Sequence, residues 1–385
     1  MIARCSSDDP LLRVCHVITS LATGGAETAL FRLVTATDRA QQEVSVVSLT
    51  DEGVYGPRLR EAGIPVHALG MQRGRFSLPA FLALIKLLRQ RKPDVVQTWL
   101  YHSDLLGLLA SRLAGIRRVA WNIRCSVTDE RYVRGQAGTV LRLLSFLSPI
   151  PRVVVSNSVA GQRVHAMLGY RPRQWAVIPN GLETATFRPD PAAYLDVRRE
   201  LGVAPDSILV GLVARYDPLK DHLTFLQTAA RVAAKQPNVH FVAVGAGVTY
   251  ANGDLAAHVQ ALGNSRQVHL LGERRDTPRL NAAFDIAMCT STGEGFPNVL
   301  IEAMSCGVPC VSTDVGDAAL VIGDTGLVEP AADPDRLAQA VLQLVEGGRT
   351  RRNTLGEAAR RRVQEHYSLP IMVARYQALY DSLTT

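Results

Sequence analysis

Two carboxylates near a glycine-rich turn have the clearest chemical potential in this sequence. Glu294 precedes Gly-Phe-Pro, and Glu302 follows it by eight residues. Pro297 suits the first turn of a helix, which places Glu294 in a loop and Glu302 within that helix. From there both side chains can face one crevice, where one could bind ribose hydroxyls and the other a sugar hydroxyl or a developing positive charge. A helix-terminal acid beside an unrelated surface glutamate would give the same spacing.

Two cations follow the apolar segment 208–214, which has the pattern of a buried strand. Arg215 and Lys220 stand five residues apart on either side of a turn at Pro218. Ligands of open α/β sheets bind beyond the carboxyl ends of the strands. There an arginine can bind phosphate oxygens in pairs and a lysine can add a point charge. Either residue alone is equally explained as a solvated loop cation.

A glycine pair, Gly24-Gly25, separates the first apolar segment from a helical pattern. Glycines let the backbone approach a ligand, and a helix start favours an anion. The sequence is not G-x-G-x-x-G, and the first turn of the second half also lacks that motif, which disfavours a dehydrogenase. Taken alone, the pair favours an ordinary tight turn over a ligand site.

The composition is that of a folded protein with two or three domains. Of the 385 residues, 47 % are apolar and 20 % are charged, which excludes a disordered or low-complexity chain. No apolar run reaches the roughly 18 residues of a spanning helix, and the N-terminus does not resemble a secretory signal. The six cysteines form no C-x-x-C pair, as expected for a reducing compartment. We therefore expect a cytoplasmic protein.

The charge is unevenly distributed along the chain. Residues 1–180 carry 23 Lys and Arg against 12 Asp and Glu, whereas the remainder carries 19 against 23. A basic half suits an anionic membrane surface or a phosphorylated substrate. Aromatic residues make up only 6 % of the chain and form no stripe with the cations, which argues against nucleic acid. An inert basic surface explains the charge equally well.

Short segments rich in Val and Ile alternate with longer helical patterns, as in βαβ units with parallel sheets. The predicted strands cover residues 12–19, 43–49, 66–69, 94–98, 119–123, 153–156, 176–179, 208–214, 239–244, 268–270, 286–289, 309–312 and 326–328. The main predicted helices cover residues 26–36, 79–91, 103–114, 158–168, 219–235, 255–262, 297–304 and 334–345.

So many strands exceed one ordinary open sheet. Asn180-Gly181 and the spaced prolines Pro189 and Pro191 indicate a turn and a semi-rigid linker at the middle of the chain. We predict two doubly wound α/β domains, at residues 1–180 and 181–365, followed by an amphipathic helix within 366–385. A single (β/α)₈ barrel is the less favoured alternative, because it gives no reason for this hinge.

The segment from Glu294 to Pro309, E-G-F-P-N-V-L-I-E-A-M-S-C-G-V-P, resembles the E-x₇-E signature of family 4 glycosyltransferases. Those enzymes have the GT-B fold of two Rossmann-like domains with a cleft between them. The resemblance covers nearly the full length. It also rests on the glycine loop 24–27, on Asn180-Gly181 with Phe187 and Pro189, on Arg215 with Lys220, and on the turn 306–309. It implies that the C-terminal helix within 366–385 crosses back to pack on the first domain, and a simple capping helix on the second domain is the alternative.

The resemblance implies a retaining glycosyltransferase of the kind found in bacterial polysaccharide biosynthesis. Such an enzyme moves a sugar from a nucleotide diphosphate sugar to a hydroxyl of a saccharide or lipid-linked saccharide. The donor occupies the second domain, the acceptor occupies the first, and no metal or other cofactor is required. The implied catalytic residues are Glu294, Arg215, Lys220 and His102, the donor-binding ones are Gly24, Gly25, Phe296, Pro297, Asn298 and Glu302, and the acceptor-binding ones are Arg124, Arg117 and Arg118.

Two positions depart from the family pattern. Members often carry a histidine after the strand that corresponds to 119–123, and here Arg124 stands near that position. His102 remains at another cleft position, although it is also explained as a helix-start residue. Many members have Gly-Gly and a glutamate after the position of Gly316, where this chain continues with 319–321 as Ala-Leu-Val. Donor identity is therefore left open.

Other activities fit the same fold. One is an epimerase or hydrolase that acts on the nucleotide sugar without an acceptor, and another is a catalytically silent sugar-binding scaffold. The intact residues Glu294, Glu302, Arg215 and Lys220 disfavour the scaffold. The D-x-D string at Asp333 and Asp335 is explained without metal as a helix N-cap followed by proline.

The basic half also suggests a peripheral position at the inner face of a membrane. Six cations lie around the apolar segment 78–85, and such a combination suits an anionic membrane surface. A lipid-linked acceptor could be held there, with Arg117, Arg118 and Arg124 binding its phosphates. The alternative is that Phe81, Leu84 and Ile85 are core residues of a crossover helix. The six cations are Arg73, Arg75, Lys86, Arg89, Arg91 and Lys92.

Overall fold

A computed structural model describes residues 11–72, 74–124, 135–261, 263 and 266–385 of the chain. Cys5, Cys125 and Arg73, which entered the sequence analysis, lie outside the described residues. The chain divides into two compact units. The first comprises Met1–Gly181 with Leu369–Thr385, and the second comprises Leu182–Ser368.

The first unit is built on a parallel sheet of seven described strands in the order β3-β2-β1-β4-β5-β6-β7. The strands are β1 (Leu12–Ile18), β2 (Gln42–Ser48), β3 (Val66–Ala68), β4 (Val95–Trp99), β5 (Val119–Ile123), β6 (Val153–Ser156) and β7 (Trp175–Val177). The helices that connect them are α1 (Gly25–Ala36), α2 (Tyr55–Glu61), α3 (Leu78–Arg91), α4 (Tyr101–Leu113), α5 (Gly135–Leu147) and α6 (Val159–Met167).

The second unit repeats the plan with six described strands in the order β10-β9-β8-β11-β12-β13. They are β8 (Ile208–Val213), β9 (Val239–Val244), β10 (Val268–Leu270), β11 (Ile286–Cys289), β12 (Cys310–Thr313) and β13 (Leu327–Glu329). Its helices are α7 (Pro191–Leu201), α8 (His222–Ala233), α9 (Gly253–Ala261), α10 (Thr277–Ala283), α11 (Asn298–Ser305), α12 (Ala318–Ile322), α13 (Pro334–Glu346) and α14 (Gly348–His366).

The two parallel sheets confirm the predicted pair of doubly wound domains and rule out the barrel. Each predicted strand is present, with ends that differ by at most two residues. The central strands are buried along their length, as β5 and β6 show. A parallel sheet covered on both faces requires such continuous apolar segments, and that is why the sequence identified them.

The helices were predicted less completely. The proposed linker at 189–191 is in fact the start of α7, where the Asp190 carboxylate accepts hydrogen bonds from the N–H groups of Ala192 and Ala193 at 3.0 and 3.2 Å. Pro191 occupies the first helical position, a combination typical of helix starts. The predicted helix 219–235 is divided into a 3₁₀ turn, Pro218–Lys220, and α8.

The final helix, α15 (Leu369–Thr384), belongs to the first unit. It packs against α1 and β4 and buries Leu369, Met372, Tyr376, Leu379 and Tyr380. Within the described ranges, no helix is both long and apolar enough to span a bilayer.

A buried ion pair ties α7 to the sheet of the second unit. The guanidinium of Arg198 contacts the Asp285 carboxylate, and only 1 % of the arginine side chain is exposed. The same guanidinium donates to the carbonyls of Ser207 at 3.1 Å and Ala283 at 3.0 Å, while Asp285 accepts from the N–H of Leu209 at 2.9 Å. This ion pair and its hydrogen bonds therefore connect α7 with the start of β8 and with the end of α10.

We predict that Asp285→Ala destabilises the chain far more than an exposed counterpart does. Removing Asp285 leaves the Arg198 charge buried and unpaired, which is expected to cost about 3–5 kcal/mol of unfolding free energy. Asp196→Ala removes a surface partner of Arg199 on the same helix and is expected to cost about 0–1 kcal/mol. Urea denaturation of both variants measures the difference, and equal losses would contradict this role of the pair.

Candidate active site

The candidate site of the second unit lies where its strand order reverses. β8 pairs with β9 on one side and with β11 on the other, so the connections from these strands leave in opposite directions. Ala287 of β11 is in register with Gly211 of β8, so both strands end at the same level. A crevice at the carboxyl ends of such strands is the usual ligand site of open α/β sheets.

The loop after β8 is shaped by two aspartates. Asp217 accepts a hydrogen bond from the N–H of Leu219 at 2.9 Å and caps the 3₁₀ turn. Asp221 has a left-handed backbone (φ 44°) and caps α8 by accepting from the N–H of Thr224 at 3.1 Å. These local bonds fix the direction in which Lys220 leaves the turn.

Arg215 stands at the start of the same loop and remains accessible. Its guanidinium lies 2.9 Å from Asp217, and 66 % of its side chain is exposed. Burial alone would raise the pKa of Asp217, but the Leu219 N–H and the Arg215 guanidinium together hold it below its usual value. An exposed arginine held at one end by an ionised carboxylate can still turn toward a phosphate.

Lys220 and Glu294 are brought into direct contact. The Lys220 ammonium forms an ion pair with Oε1 of Glu294, and the two side chains are 21 % and 12 % exposed. Ser291 donates a hydrogen bond to the same carboxylate oxygen at 2.8 Å. The structure thus joins two residues that the sequence placed 74 positions apart, and it adds Ser291, which the sequence analysis did not select.

Backbone contacts hold these two loops together. The N–H of Thr292 donates to the carbonyl of Leu219 at 2.9 Å. The Thr290 hydroxyl lies 3.0 Å from the carbonyls of both Lys220 and Asp221. The relative position of Lys220 and Glu294 is therefore set by the loops themselves and does not depend on the ion pair alone.

The loop after β12 supports Glu294 from behind. Gly316 has a left-handed backbone (φ 59°), and a Cβ atom there would lie 2.6 Å from the carbonyl oxygen of Glu294. The N–H of Asp317 donates to the carbonyl of Gly295 at 3.0 Å. Gly316 is therefore required for packing, which explains why this glycine is present although the residues after it depart from the family pattern.

Helix α11 begins directly after this loop. Pro297 is its N-cap and provides no side-chain cap, and helix starts that follow a strand in this way are common anion sites. Asn298 and Glu302 are four residues apart and share one face of the helix. Phe296 differs from the prediction, since its side chain is buried in the core and packs 5.6 Å from the Tyr367 ring.

The first unit has its own reversal between β1 and β4, where Ile18 is in register with Trp99. Gly24 and Gly25 follow β1, and a Cβ atom at Gly25 would meet no atom within 4 Å. Leu100 follows β4 with a left-handed backbone (φ 74°), and the exposed His102 stands in the first turn of α4. Gly24, Gly25 and His102 therefore share the carboxyl edge of this sheet.

A cavity of about 530 Å³ opens at this edge. Ser20 donates to the Glu27 carboxylate at 3.3 Å, and Thr19 and Ser103 are joined by a hydrogen bond of 3.0 Å. The sequence analysis missed these polar side chains, although their position directly after β1 was a usable signal. The residues that line the cavity include Thr19, Ser20, Glu27, Asp51 and Leu100.

A buried carboxyl group supports His102 from within α4. Asp104 accepts hydrogen bonds from the Thr98 hydroxyl and, at 3.4 Å, from the N–H of Asn122. Burial raises the pKa of Asp104 to about 8, so the group is mostly protonated at neutral pH. The first turn of α4 is thereby tied to both β4 and β5.

Arg124 does not have the predicted accessible position. Its guanidinium contacts the side-chain oxygen of Asn180, donates to the Tyr376 hydroxyl at 3.3 Å and lies 4.4 Å from the centroid of Trp99. Burial lowers the pKa of Arg124, while Tyr376 opposes the change. This arginine joins α15 to the end of the first unit, and its assignment to acceptor binding stays a prediction.

Arg117 and Arg118 do not join Arg124 either. They precede β5, whereas Arg124 follows it, and a strand of five residues separates them by about 17 Å. Arg118 donates to the carbonyl of Thr384 at 3.4 Å. Because they lie at the amino edge of the sheet, the predicted acceptor site with three arginines is wrong.

The described residues contain no group of three or more His, Cys, Asp or Glu side chains arranged to hold a metal ion. Four cysteines of the described ranges are free and buried. Burial raises the pKa of Cys289, directly below the Glu294 loop, and Glu294 adds to that effect.

Comparison with known proteins identifies the family on both units. Residues 23–186 match the model "Glycosyltransferase Family 4", and residues 207–347 match "Glycosyl transferases group 1". A D-inositol 3-phosphate glycosyltransferase from Geodermatophilus obscurus is 30 % identical over 330 residues, which cover 77 % of this chain and 69 % of the relative. The Escherichia coli UDP-Gal:alpha-D-GlcNAc-diphosphoundecaprenol alpha-1,3-galactosyltransferase is 26 % identical over 310 residues, 79 % of each chain.

The fold agrees with this result. The crystal structure of Anabaena Alr3699/HepE in complex with UDP covers 96 % of this chain and all of its own, with 23 % identity and a TM-score of 0.85. The same protein in complex with UDP-glucose gives a TM-score of 0.81 at 22 % identity. The family resemblance predicted from the E-x₇-E segment is therefore confirmed: the chain belongs to the family 4 (group 1) glycosyltransferases and is a nucleotide-sugar-dependent enzyme of the GT-B fold.

Proposed function

We propose that this glycosyltransferase takes its sugar from a UDP-sugar and transfers it, with retention of configuration, to a hydroxyl of a lipid-linked saccharide during surface polysaccharide synthesis. The observation that carries the proposal is the contact of Lys220 with Glu294, beside Arg215 and the start of α11. This group combines phosphate-binding cations with carboxylates that bind hydroxyls. A nucleotide diphosphate sugar requires both.

In the proposed complex, Glu302 binds the ribose and the start of α11 binds the diphosphate. Arg215 and Lys220 neutralise the negative charge that grows on the diphosphate as the sugar departs. Because these cations and the helix start can supply that stabilisation, the proposed reaction uses no metal. Pro297 and Asn298 stand where the donor sugar would lie, whereas the buried Phe296 side chain would support them from the core.

Glu294 has a different task in the proposed reaction. Ser291 and Lys220 hold its Oε1, and the second carboxylate oxygen can accept a sugar hydroxyl. Its negative charge also favours the positive charge that develops at the anomeric carbon. The acceptor hydroxyl would then enter on the face from which the diphosphate leaves, which retains the configuration.

The first unit is proposed to serve the acceptor. His102 is exposed at its carboxyl edge. Gly25 keeps its predicted role in donor binding, for which the open space at this position suits a closely approaching phosphate group. A lipid-linked acceptor is favoured because the Escherichia coli relative is named for an undecaprenol-linked substrate. An enzyme with such an acceptor would work in the cytoplasm at the inner face of the membrane.

Product analysis tests the proposal against its alternatives. The full chain is incubated with UDP-sugars, with and without a short-chain prenyl diphosphate saccharide. We expect release of UDP only when the acceptor is present, and a product whose anomeric signals in NMR match those of the donor. Equal release without acceptor would indicate a hydrolase, a C-epimerised sugar would indicate an epimerase, and binding without turnover would indicate a scaffold.

We predict that the two glutamates affect different kinetic constants. Glu302→Gln should weaken UDP binding about tenfold, because a neutral amide is a poorer partner for ribose hydroxyls. Glu294→Gln should leave UDP binding within about twofold and lower kcat at least about a hundredfold, since it removes charge stabilisation in the transition state. UDP titration and steady-state kinetics measure both effects.

Glu346→Gln, at the exposed end of α13, is the matched control and should match the unchanged chain in both assays. Equal loss of UDP affinity in the Glu294 and Glu302 variants would contradict this division of roles.

We predict that Gly25→Ala impairs catalysis and leaves the fold intact. The added methyl group meets no atom within 4 Å, and the position is the first residue of α1, where alanine is the better helix former. The thermal midpoint should therefore stay the same or rise, while kcat/KM falls at least about tenfold because the methyl group occupies space that a ligand needs.

Gly356→Ala provides the contrast, because its Cβ atom would lie 1.9 Å from the carbonyl oxygen of Gly307. This variant should lose stability in the same thermal scan. Wild-type activity of Gly25→Ala would show that Gly24-Gly25 is only a turn.

A further inference from the structure

One helical layer of the first unit exposes apolar side chains that no described residue of the unit covers. Leu109 and Leu113 lie one turn apart on α4 and are 42 % and 56 % exposed. Leu143 and Phe146 lie on α5, and the phenylalanine ring is 81 % exposed. Exposed apolar groups in contiguous patches mark interaction sites more often than single ones do.

Contacts between the helices place these residues on one surface. The Arg89 guanidinium of α3 donates to the carbonyl of Leu113 at 2.8 Å. Arg112 of α4 donates to the carbonyl of Ile150, just after α5, at 3.3 Å. The three helices therefore lie side by side with α4 in the middle. We call their outer surface the α3–α5 face, defined by Arg89, Leu109, Arg112, Leu113, Arg142, Leu143 and Phe146.

The charge of this face has one sign. Among the residues of α3, α4 and α5 there are five Lys and Arg and a single acid, Asp104, which is buried. Along α3 the exposed residues change from Leu78 and Leu82 to Lys86 and Arg89, at helical spacings of three and four. On α4 and α5 the two kinds of group share single turns instead, since the exposed Arg112 stands beside Leu109 and Leu113 and the exposed Arg142 stands beside Leu143 and Phe146.

A basic cavity of about 630 Å³ opens at the end of the face, against the last turns of α3 and α4. It lies at the amino edge of the sheet, opposite the edge that carries Gly25 and His102. Its one carboxylate, Asp94, already pairs with Arg13 at 3.3 Å. The charged residues that line the cavity are Arg89, Lys92, Asp94, Arg117, Arg118 and Arg152.

These observations correct the earlier membrane hypothesis in its details. Leu84 and Ile85 are buried core residues of a crossover helix, as the alternative predicted, and Arg91 contacts His67 at 2.9 Å. Leu78 and Leu82 of the original segment are exposed, but the exposed apolar surface extends over α4 and α5, which the sequence analysis did not consider for membrane contact.

We infer that the α3–α5 face docks on an anionic lipid bilayer and that the basic cavity binds lipid phosphate groups. A protein partner is disfavoured because lysines are depleted from protein interfaces, whereas the exposed Lys86 and Lys92 stand on α3 and at the basic cavity. An interface of lipid headgroups and acyl chains accepts both groups at once, since apolar tips insert while the cations meet phosphates. Only the purpose of this docking, which is to bring the enzyme to a lipid-linked acceptor, rests on the proposed function.

Vesicle co-sedimentation of the full chain tests the inference. Vesicles of phosphatidylglycerol mixed with phosphatidylcholine should pellet the protein at low salt, and pure phosphatidylcholine vesicles should not. Leu113→Ser with Phe146→Ser should abolish pelleting. Arg89→Gln with Arg117→Gln should lower the partition coefficient about twenty-five-fold, because each near-surface cation contributes about fivefold. These side chains are exposed, and unchanged thermal midpoints would show that the variants fold.

Leu195→Ser with Arg336→Gln, on exposed sites of the second unit, is the matched control and should pellet like the unchanged chain. Failure to pellet at low salt, or pelleting that survives the face variants, would overturn the inference. Saturable binding of inorganic pyrophosphate by a chain that does not bind vesicles would also overturn the inference, because the cavity would then bind a free anion. Sugar transfer to a water-soluble acceptor, measured in the same preparations, separates the proposed function from the membrane inference. A chain that pellets with vesicles but shows no sugar transfer would refute only the proposed function.

Discussion

The ion pair between Lys220 and Glu294 is the interaction on which the candidate site depends. It joins the loops that leave β8 and β11, the two strands between which the connections of the second sheet reverse. Further hydrogen bonds support the geometry of this ion pair. Thr290 and Thr292 join the same two loops by donating to backbone carbonyls, and Ser291 donates to the carboxylate. Such support fixes charged groups in advance of a ligand, which is what electrostatic stabilisation of a transition state requires.

Much of this arrangement could be predicted from the sequence, because two strong physical patterns carry it. Parallel strands covered on both faces must be continuous apolar segments, so both sheets were found. The carboxyl ends of such strands meet at one edge, so Arg215, Lys220 and Glu294 could be assigned to one crevice. The helices were less predictable. Asp190 and Pro191 are equally compatible with a linker and with the capped start of α7, and only tertiary packing decides between these two structures.

The sequence analysis misplaced some site residues because their location depends on where they stand in the fold more than on their residue type. Arg117, Arg118 and Arg124 look like one basic cluster in the sequence, yet β5 carries them to opposite edges of the sheet. Arg124 also finds Trp99, Asn180 and Tyr376, three partners from distant parts of the chain that no local pattern could reveal. Phe296 belongs to a motif that resembles a sugar site, but its ring packs on Tyr367 in the core.

The ion pair also gives the proposed reaction an order of events. Before a donor binds, Lys220 and Glu294 neutralise each other, so neither of these two mostly buried side chains carries an unpaired charge. A diphosphate carries more negative charge than one carboxylate and would attract Lys220 more strongly, while Ser291 continues to hold Glu294. The carboxylate would then face the sugar with its charge no longer cancelled. The donor needs a negative group near its anomeric carbon, and its diphosphate would thus release the Glu294 carboxylate from Lys220 for that role.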